Sequence, residues 1–138
     1  MEIIKALVGW NNKNYSATTD DYDRLNGIVI ATGATFEELQ KEFESALKFH
    51  IEGCLADGDS FPEWVLSGCY QVEYELAVSA LLHRLDGVLT RSAIARVSGI
   101  NERQIGHYAS GIRNPRPEKR KQLIDGIQQI SKELATVV

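Results

Sequence analysis

The sequence predicts an α+β protein in which a small sheet with one packed helix precedes an all-helical segment. Three observations lead to this prediction. Short aliphatic or alternating runs, bounded by turn residues, occupy the start of the chain and recur near residue 70. One long helical pattern lies between the third and fourth of these strand candidates. After residue 75, the apolar residues recur only at helical spacing. We therefore expect two domains, at residues 1–74 and 75–138.

Four segments have the character of β-strands. Glu2–Trp10 is rich in aliphatic residues, as a largely buried strand would be. Tyr15–Thr19 alternates after the turn-forming run Asn11–Asn14. Ile28–Thr32 lies between two glycines and is the third candidate, and Tyr70–Tyr74 is the fourth.

A long helix is expected between the third and fourth strands. Thr35 is a suitable N-cap, and Glu38 three residues later completes a capping box. The inward positions recur at steps of three and four, at Phe36, Leu39, Phe43, Ala46, Leu47 and His50. Phe61–Trp64 is expected to be a loop. The order β-β-β-α-β implies one helix on a small, mostly antiparallel sheet.

Residues 90–113 predict two short helices around a tight turn. Ile94 and Ala95 give the first helix an apolar face, which Val97 extends. Gly99 follows Ser98 where a left-handed residue would close the helix. The small side chain of Ala95 allows the two helices to cross closely.

The second helix of this pair has its own start signal. Ile100 fills the turn, and Asn101 caps the helix with Gln104 as its capping-box partner. Ile105 and Tyr108, three residues apart, face the first helix. This is the pattern of a helix-turn-helix, whose second helix can enter the major groove of DNA.

The flanking segments complete an expected five-helix domain. Its first helix is amphipathic and ends at Gly87, with apolar positions at Leu76, Ala80, Leu81 and Leu85. Pro117 fits the first turn of a later helix, because its missing donor is not needed there. The stripe of that helix is expected to be core, with a dimer seam as the alternative: Leu123, Ile127, Ile130 and Leu134, beside Ile124.

Charge is distributed unevenly along the chain, whose formal net charge is −4. Residues 1–74 carry 5 basic and 13 acidic residues, whereas residues 75–138 carry 10 basic and 6 acidic ones. Eight basic residues lie within 91–121, where the helix-turn-helix pattern falls. This asymmetry predicts a DNA-binding module joined to a domain with another role.

Nine residues are candidates for DNA contact. Four are expected to point outward from the second helix toward base edges or nearby phosphates: Asn101, Arg103, Gln104 and His107. Arg91, Arg113, Arg116 and Lys119 flank the motif and are expected to contact phosphates, and Ser92 is a further candidate. Glu102 is near the groove and would be repulsive unless it accepts from a cytosine amino group.

The motif resembles the helix-turn-helix of the phage repressor and Cro-type family. The matching structural positions are Ala95, Gly99, Ile100, Ile105 and Tyr108, and Gly111–Pro115 resembles the Gly-x-Arg-x-Pro loop that often follows. Ser98 departs from the family, which usually buries an aliphatic residue there. The resemblance implies binding to operator DNA, and two-fold operators favour a homodimer or a higher homo-oligomer.

The first half resembles the HicB antitoxin family, whose sheet domain is a reduced RNase H-like fold. Residues 25–39 look like that family's strand, Gly, Thr and Glu-led helix, and Tyr15–Thr19 lies where the family places its second strand. The chain has Asp23-Arg24-Leu25 without the preceding proline often found there. The resemblance implies an antitoxin of a type II toxin-antitoxin system. Such a protein neutralises a small basic ribonuclease toxin, HicA-like, and represses its own operon.

Two other function classes remain open at this stage. A ligand-sensing repressor would use the sheet domain to bind a small molecule. A vestigial nuclease would need several carboxylates around paired metal ions. Within the first strand, residues Ile3 to Trp10 include no acid, and Asp20, Asp21 and Asp23 lie in an expected turn. We therefore predict that the protein is not an enzyme and has no catalytic residue.

Cysteine usage indicates a cytoplasmic protein, and we expect no cofactor. No apolar run approaches the roughly 20 residues that span a bilayer, so no membrane association is expected, and Met1–Lys5 lacks signal-peptide features. The only cysteines, Cys54 and Cys69, have no Cys-x-x-Cys spacing. His50 and Cys54 share a helix face and with Cys69 are three ligands, but structural zinc sites use four. We expect no metal site.

Overall fold

The computed structural model describes residues 1–19 and 21–137, which form two compact units, Met1–Ala77 and Val78–Val138. The first unit holds four strands and three helices: β1 (Glu2–Trp10), β2 (Tyr15–Thr19), α1 (Tyr22–Leu25), β3 (Val29–Gly33), α2 (Phe36–Ala56), α3 (Glu63–Leu66) and β4 (Tyr70–Leu76). The second unit holds α4 (Val78–Leu85), α5 (Arg91–Ser98), α6 (Glu102–Ser110) and α7 (Pro117–Leu134). The described residues therefore form an α+β protein.

The sheet is mixed, with the strand order β3-β2-β1-β4. β2 pairs antiparallel with both β1 and β3, and β4 pairs parallel with β1. A parallel pair cannot be closed by a tight turn, and the long connection through α2 provides the crossover that it needs. β1 is therefore a central strand with a partner on each side.

Strand alternation decides which side of the sheet α2 covers. Ile4, Ala6 and Val8 of β1 are fully buried, while Ile3, Lys5 and Leu7 between them are exposed on the opposite face. The buried residues of α2 recur at helical spacing, as Leu39, Phe43, Leu47 and Ile51. The start of α2 presses so closely on the end of β3 that a Cβ on Gly33 would lie 2.5 Å from Leu39 N.

The second unit has one small core to which all four helices contribute. Its buried members are Val78, Leu82, Ile94, Ile100, Ile105, Tyr108 and Leu123. Along α7, Leu123 is fully buried and Ile127 packs against the core, but Leu134 is 65% exposed. The apolar stripe of α7 is thus core at its beginning and faces solvent at its end. Among the described residues, no helix combines the length and apolarity required to cross a membrane.

Three expectations about the first unit are corrected. β4 continues to Leu76, so this residue belongs to the sheet and not to the first helix of the second unit. The division between the units consequently falls after Ala77, beyond residue 74. Phe61–Trp64 is not entirely loop, because α3 begins at Glu63, directly after its N-cap Pro62.

The second unit has four helices in the described chain, where five were expected. The sequence after Pro117 contains no further proline, so no residue forces α7 to break before Leu134. Its one weak point as a helix is Gly126, which is held by packing against α5.

Candidate nucleic-acid interface

The first helix of the candidate interface, α5, is closed at both ends by side-chain and backbone bonds. Thr90 Oγ1 accepts a hydrogen bond from Ala93 N at 3.0 Å, which caps the helix. At the other end Gly99 has φ +72° and its N–H donates to Ala95 O at 2.8 Å. Glycine takes this left-handed conformation without strain, so the helix ends where the sequence predicted.

Ser98 is buried in the turn. In the repressor and Cro-type family that the motif resembles, this position usually holds an aliphatic residue. Its Oγ donates to Ile94 O at 2.7 Å and accepts from Ile100 N at 3.2 Å, so the hydroxyl is satisfied. Gln122 of α7 donates to Ser98 O at 2.7 Å. Val97 is only half-buried, and Ser98 takes the inward position instead.

The second helix, α6, begins at a cap but without the expected capping box. Asn101 Oδ1 accepts from Arg103 N at 2.8 Å. Gln104 returns no bond to Asn101 N; its side chain lines an open cavity beside the helix instead. Ile105 is fully buried and Tyr108 nearly so, as their spacing predicted.

Five of the nine candidate residues line one open cavity of about 510 Å³. Its polar wall comes from the first two turns of α6 and the start of α7: Asn101, Arg103, Gln104, His107 and Lys119. Asn101, Arg103 and Lys119 are exposed, and the other two are half-buried. Donors and acceptors with this arrangement can hydrogen-bond base edges or phosphate oxygens.

The other four candidates do not line this cavity. A Cβ on Gly106 would lie 3.4 Å from Arg91 Nη1, so the guanidinium of Arg91 lies beside α6. Ser92 is exposed next to it on α5. Arg113 and Arg116 are exposed in the loop between α6 and α7.

Unlike the exposed Arg103, His107 is half-buried. Its carbonyl accepts from Ser110 Oγ at 3.2 Å and from Arg113 N at 3.3 Å. Among the described residues nothing hydrogen-bonds its Nδ1, which is buried. Any contact from this ring to a ligand must therefore use the side away from Nδ1.

The second unit is strongly basic. Residues 78–138 carry 10 basic and 5 acidic residues, a net charge of +5. Lys121 Nζ lies 2.8 Å from a carboxylate oxygen of Asp125, and this hydrogen bond raises the pKa of Lys121. Lys119 Nζ reaches Gln122 Oε1 at 3.4 Å, a weak contact that leaves it available to a phosphate.

Sequence reasoning missed four residues that build this interface. Thr90 had a usable signal, since Thr before a helical run is a common cap. Gln122 and Gly126 hold the turn from α7, and Gly106 leaves room for Arg91. These three contacts join residues distant along the chain, so local patterns contain no trace of them.

The zinc-ligand candidates of the first unit, His50, Cys54 and Cys69, have other surroundings than a metal site would give them. His50 Nε2 lies 2.6 Å from Leu25 O, to which it donates, and 3.6 Å from Cys54 Sγ. Burial raises the pKa of Cys54, aided by Asp59, and this disfavours the thiolate that binds metal. Cys69 is exposed. Within residues 1–19 and 21–137 no three His, Cys, Asp or Glu side chains are grouped as metal ligands.

Asp21, one of the aspartate candidates for nuclease chemistry, is paired with a cation. Asp21 accepts from Arg24 Nε at 2.7 Å, and this bond raises the pKa of Arg24. Arg24 also lies over the ring of Trp64, 5.0 Å from its centroid. Asp23 is exposed on α1, and Asp20 lies outside the described residues.

Comparison of the chain with protein-family models, with curated proteins and with solved structures found no significant match in any of the three searches.

Proposed function

We propose that this protein is a DNA-binding transcriptional regulator. The observation that carries the proposal is the open cavity on α6, where Asn101 and Arg103 are exposed beside Lys119 in a unit of net charge +5. In the proposed complex α6 lies in the major groove, with Arg103 and His107 at base edges. Arg91, Arg113 and Arg116 contact phosphates and set the register. Two copies bind the two halves of an operator.

We further propose that the regulator is a type II antitoxin of the HicB kind. Support comes from the strand, Gly, Thr and helix pattern of residues 25–39 and from the charge of the first unit. Residues 1–77 carry 5 basic and 14 acidic residues, a net charge of −9. Such a field attracts a cationic partner and opposes nucleic acid. The partner is a small basic ribonuclease that is HicA-like. In the cytoplasm, the first unit covers the RNA-binding face of this ribonuclease. The sheet unit itself is a reduced RNase H-like domain without catalysis or a cofactor.

The experiment has a DNA part and a protein part. The full chain is titrated onto a duplex from upstream of its own reading frame and onto a random duplex of equal length. In parallel it is co-expressed with the product of an adjacent small basic reading frame. We expect selective retardation of the upstream duplex, co-purification of the basic protein and rescue of its growth arrest.

Three results would overturn parts of the proposal. Equal affinity for both duplexes would overturn the proposal that the protein regulates transcription by sequence-specific DNA binding. Failure to co-purify or rescue, together with a metabolite that releases the DNA, would make the protein a ligand-sensing repressor. Cleavage of RNA by the purified chain with magnesium would make it a nuclease.

A further inference from the structure

From Tyr70 to Tyr74, the outer edge of β4 presents unpaired backbone groups along a regular strand. Its pairing with β1 runs without interruption from Glu2 opposite Tyr70 to Val8 opposite Leu76. β4 contains no proline, lysine or bulge, which are common devices for blocking an exposed edge. In the described part of the chain no strand pairs with its other side.

The hydrogen-bond pattern shows which backbone groups point to that edge. Glu2 N–H donates to Cys69 O at 3.4 Å, and Ala77 N–H donates to Val8 O at 2.8 Å. Bonds in a parallel pair alternate along each strand, so the odd-numbered residues of β4 point to β1. The N–H and C=O groups of Val72 and its even-numbered neighbours therefore point outward.

A groove of about 890 Å³ runs between this edge and α2. Tyr70, Val72 and Tyr74 line its β4 side, and Tyr74 Oη donates to Gln40 O at 3.4 Å. Burial, with the nearby Glu44, raises the pKa of Tyr74 to about 12, so the ring stays neutral. On the α2 side, polar side chains of Gln40, Lys41, Glu44, Ser45 and Lys48 line the groove together with Leu47. An apolar side chain can pack on Leu47, Val72 and the two tyrosine rings. A strand added to β4 would direct alternate side chains into it.

The opposite face of the same edge is acidic. Glu73 and Glu75 are exposed there. Lys5 is opposite Glu73 on β1, but Glu75 has Leu7 opposite it and no cation in the register. A strand with basic side chains on this face would place unlike charges directly across the new pair, which is favourable.

The same charges disfavour a second copy of this chain as the occupant. Pairing β4 with itself would bring two copies of Glu73 and Glu75 onto one face and join two units of net charge −9. Carboxylates on an exposed edge thus disfavour self-pairing while leaving the edge open to a basic strand.

We propose that the outer edge of β4 binds an extended strand with alternating apolar and basic side chains by β-sheet addition. In the antitoxin complex this strand belongs to the toxin, and that assignment rests on the function proposed above. Main-chain bonds from Val72 supply affinity, the groove takes the apolar side chains, and Glu75 selects the basic ones.

The test is amide hydrogen exchange of the full chain, followed by NMR. One probe is the adjacent basic protein. Two others are end-blocked nine-residue peptides, alternating valine with lysine or valine with glutamate. In the free chain we expect the outward N–H groups of Val72 and Tyr74 to exchange freely, because no described strand pairs with them. We expect exchange to slow about tenfold or more with the basic protein and the lysine peptide. Gln71 and Glu73, already bonded to β1, are the internal controls.

Variants separate the backbone from the side chain. Val72→Pro removes one outward N–H, and Val72→Ala trims the side chain but keeps the donor. We expect the proline variant to bind the lysine peptide about tenfold more weakly than the alanine variant. If the proline variant does not fold, Glu75→Lys decides, since it should weaken the lysine peptide and strengthen the glutamate peptide.

The possible failures are distinguishable. Binding of the basic protein without protection of Val72 or Tyr74 overturns this inference and leaves the antitoxin proposal intact. Protection by the lysine peptide without any binding of the basic protein overturns the antitoxin assignment and supports the edge site. Protection in the free chain that rises with its concentration identifies a second copy as the occupant and overturns the inference.

Discussion

Gly126 of α7 lies against the backbone of Ser98, the last residue of α5. A Cβ on Gly126 would lie 2.8 Å from Ser98 Cα and 2.9 Å from Ser98 N, closer than real Cβ contacts allow. Gln122, one helical turn earlier, donates to Ser98 O. The turn that positions α6 is therefore held by α7.

The first prediction tests this contact. Gly126→Ala gains helix propensity of up to about 1 kcal/mol, but the added methyl group meets backbone that cannot rotate away. We expect net destabilisation of about 1 to 3 kcal/mol, measured by urea unfolding. Gly53→Ala in α2 is the control, since its Cβ would meet nothing within 4 Å, and it should be neutral or stabilising. Equal stabilisation by both changes would show that α7 does not press on Ser98.

The second prediction concerns sequence readout by α6. Arg103→Ala and His107→Ala should each weaken binding to the operator more than to a random duplex, by about 1 to 3 kcal/mol of lost discrimination. Competition gel shifts measure both affinities. Lys132→Ala, about 20 Å further along α7 than Lys119, is the control. Equal losses on both duplexes would make these residues phosphate contacts.

A third prediction separates phosphate contacts from base contacts. Arg116→Ala should weaken binding to every duplex alike and lower the log–log salt slope by about one unit. Arg91, Arg113 and Lys119 should behave in the same way when replaced singly. Lys13→Ala in the first unit should leave the slope unchanged, and an unchanged slope for all four interface variants would contradict their placement.

The fourth prediction concerns alkaline stability. Burial raises the pKa of Tyr74 from 10.0 to about 12, so between these values the unfolded chain loses this proton while the folded chain keeps it. The associated stability is present below pH 10 and is lost as the pH rises toward 12. Tyr74→Phe should therefore flatten the fall of the urea midpoint over this range. Tyr22→Phe, at an exposed side chain, should not.

The fifth prediction compares two fragments of the first unit. Residues 1–77 retain the whole of β4, whereas residues 1–74 lack the pairs Leu7–Glu75 and Val8–Leu76 and the bond from Ala77 N to Val8 O. The shorter fragment should melt lower, by about 4 to 8 °C for each kcal/mol lost. Identical melting curves would show that the end of β4 adds no stability.

Local chemistry explains where the sequence predicted the structure well. Thr35 accepts from Glu38 N at 3.1 Å, and Gly99 closes α5, because caps and left-handed glycines depend on neighbouring residues. Glu38 Oε2, however, accepts from Ala34 N and not from the N-cap itself. The capping pattern placed the helix start correctly and one bond partner wrongly.

Contacts between distant residues explain the failures. Leu76 has helical spacing to Ala80, but pairing with Val8 of β1 determines its conformation. Nothing near Gly126 in the sequence indicates that Ser98 is its neighbour. The capping box expected between Asn101 and Gln104 is absent, because the side chain of Gln104 lines the cavity beside α6. Asn101, Arg103, Gln104 and His107 could be named because outward positions on a short helix follow from its apolar face. Which five of the nine candidate DNA residues share a cavity depends on α7.

The central position of β1 has a consequence for folding during synthesis on the ribosome. β1 is complete at residue 10, but its partner β4 ends 66 residues later. Because the ribosome adds about 5 to 20 residues per second, one side of β1 has no strand partner for roughly 3 to 13 seconds. During this interval Ile4, Ala6 and Val8 lie on a strand whose second edge is open to other nascent chains. Slow codons between α2 and β4 should therefore favour aggregation of this protein more than slow codons after residue 77.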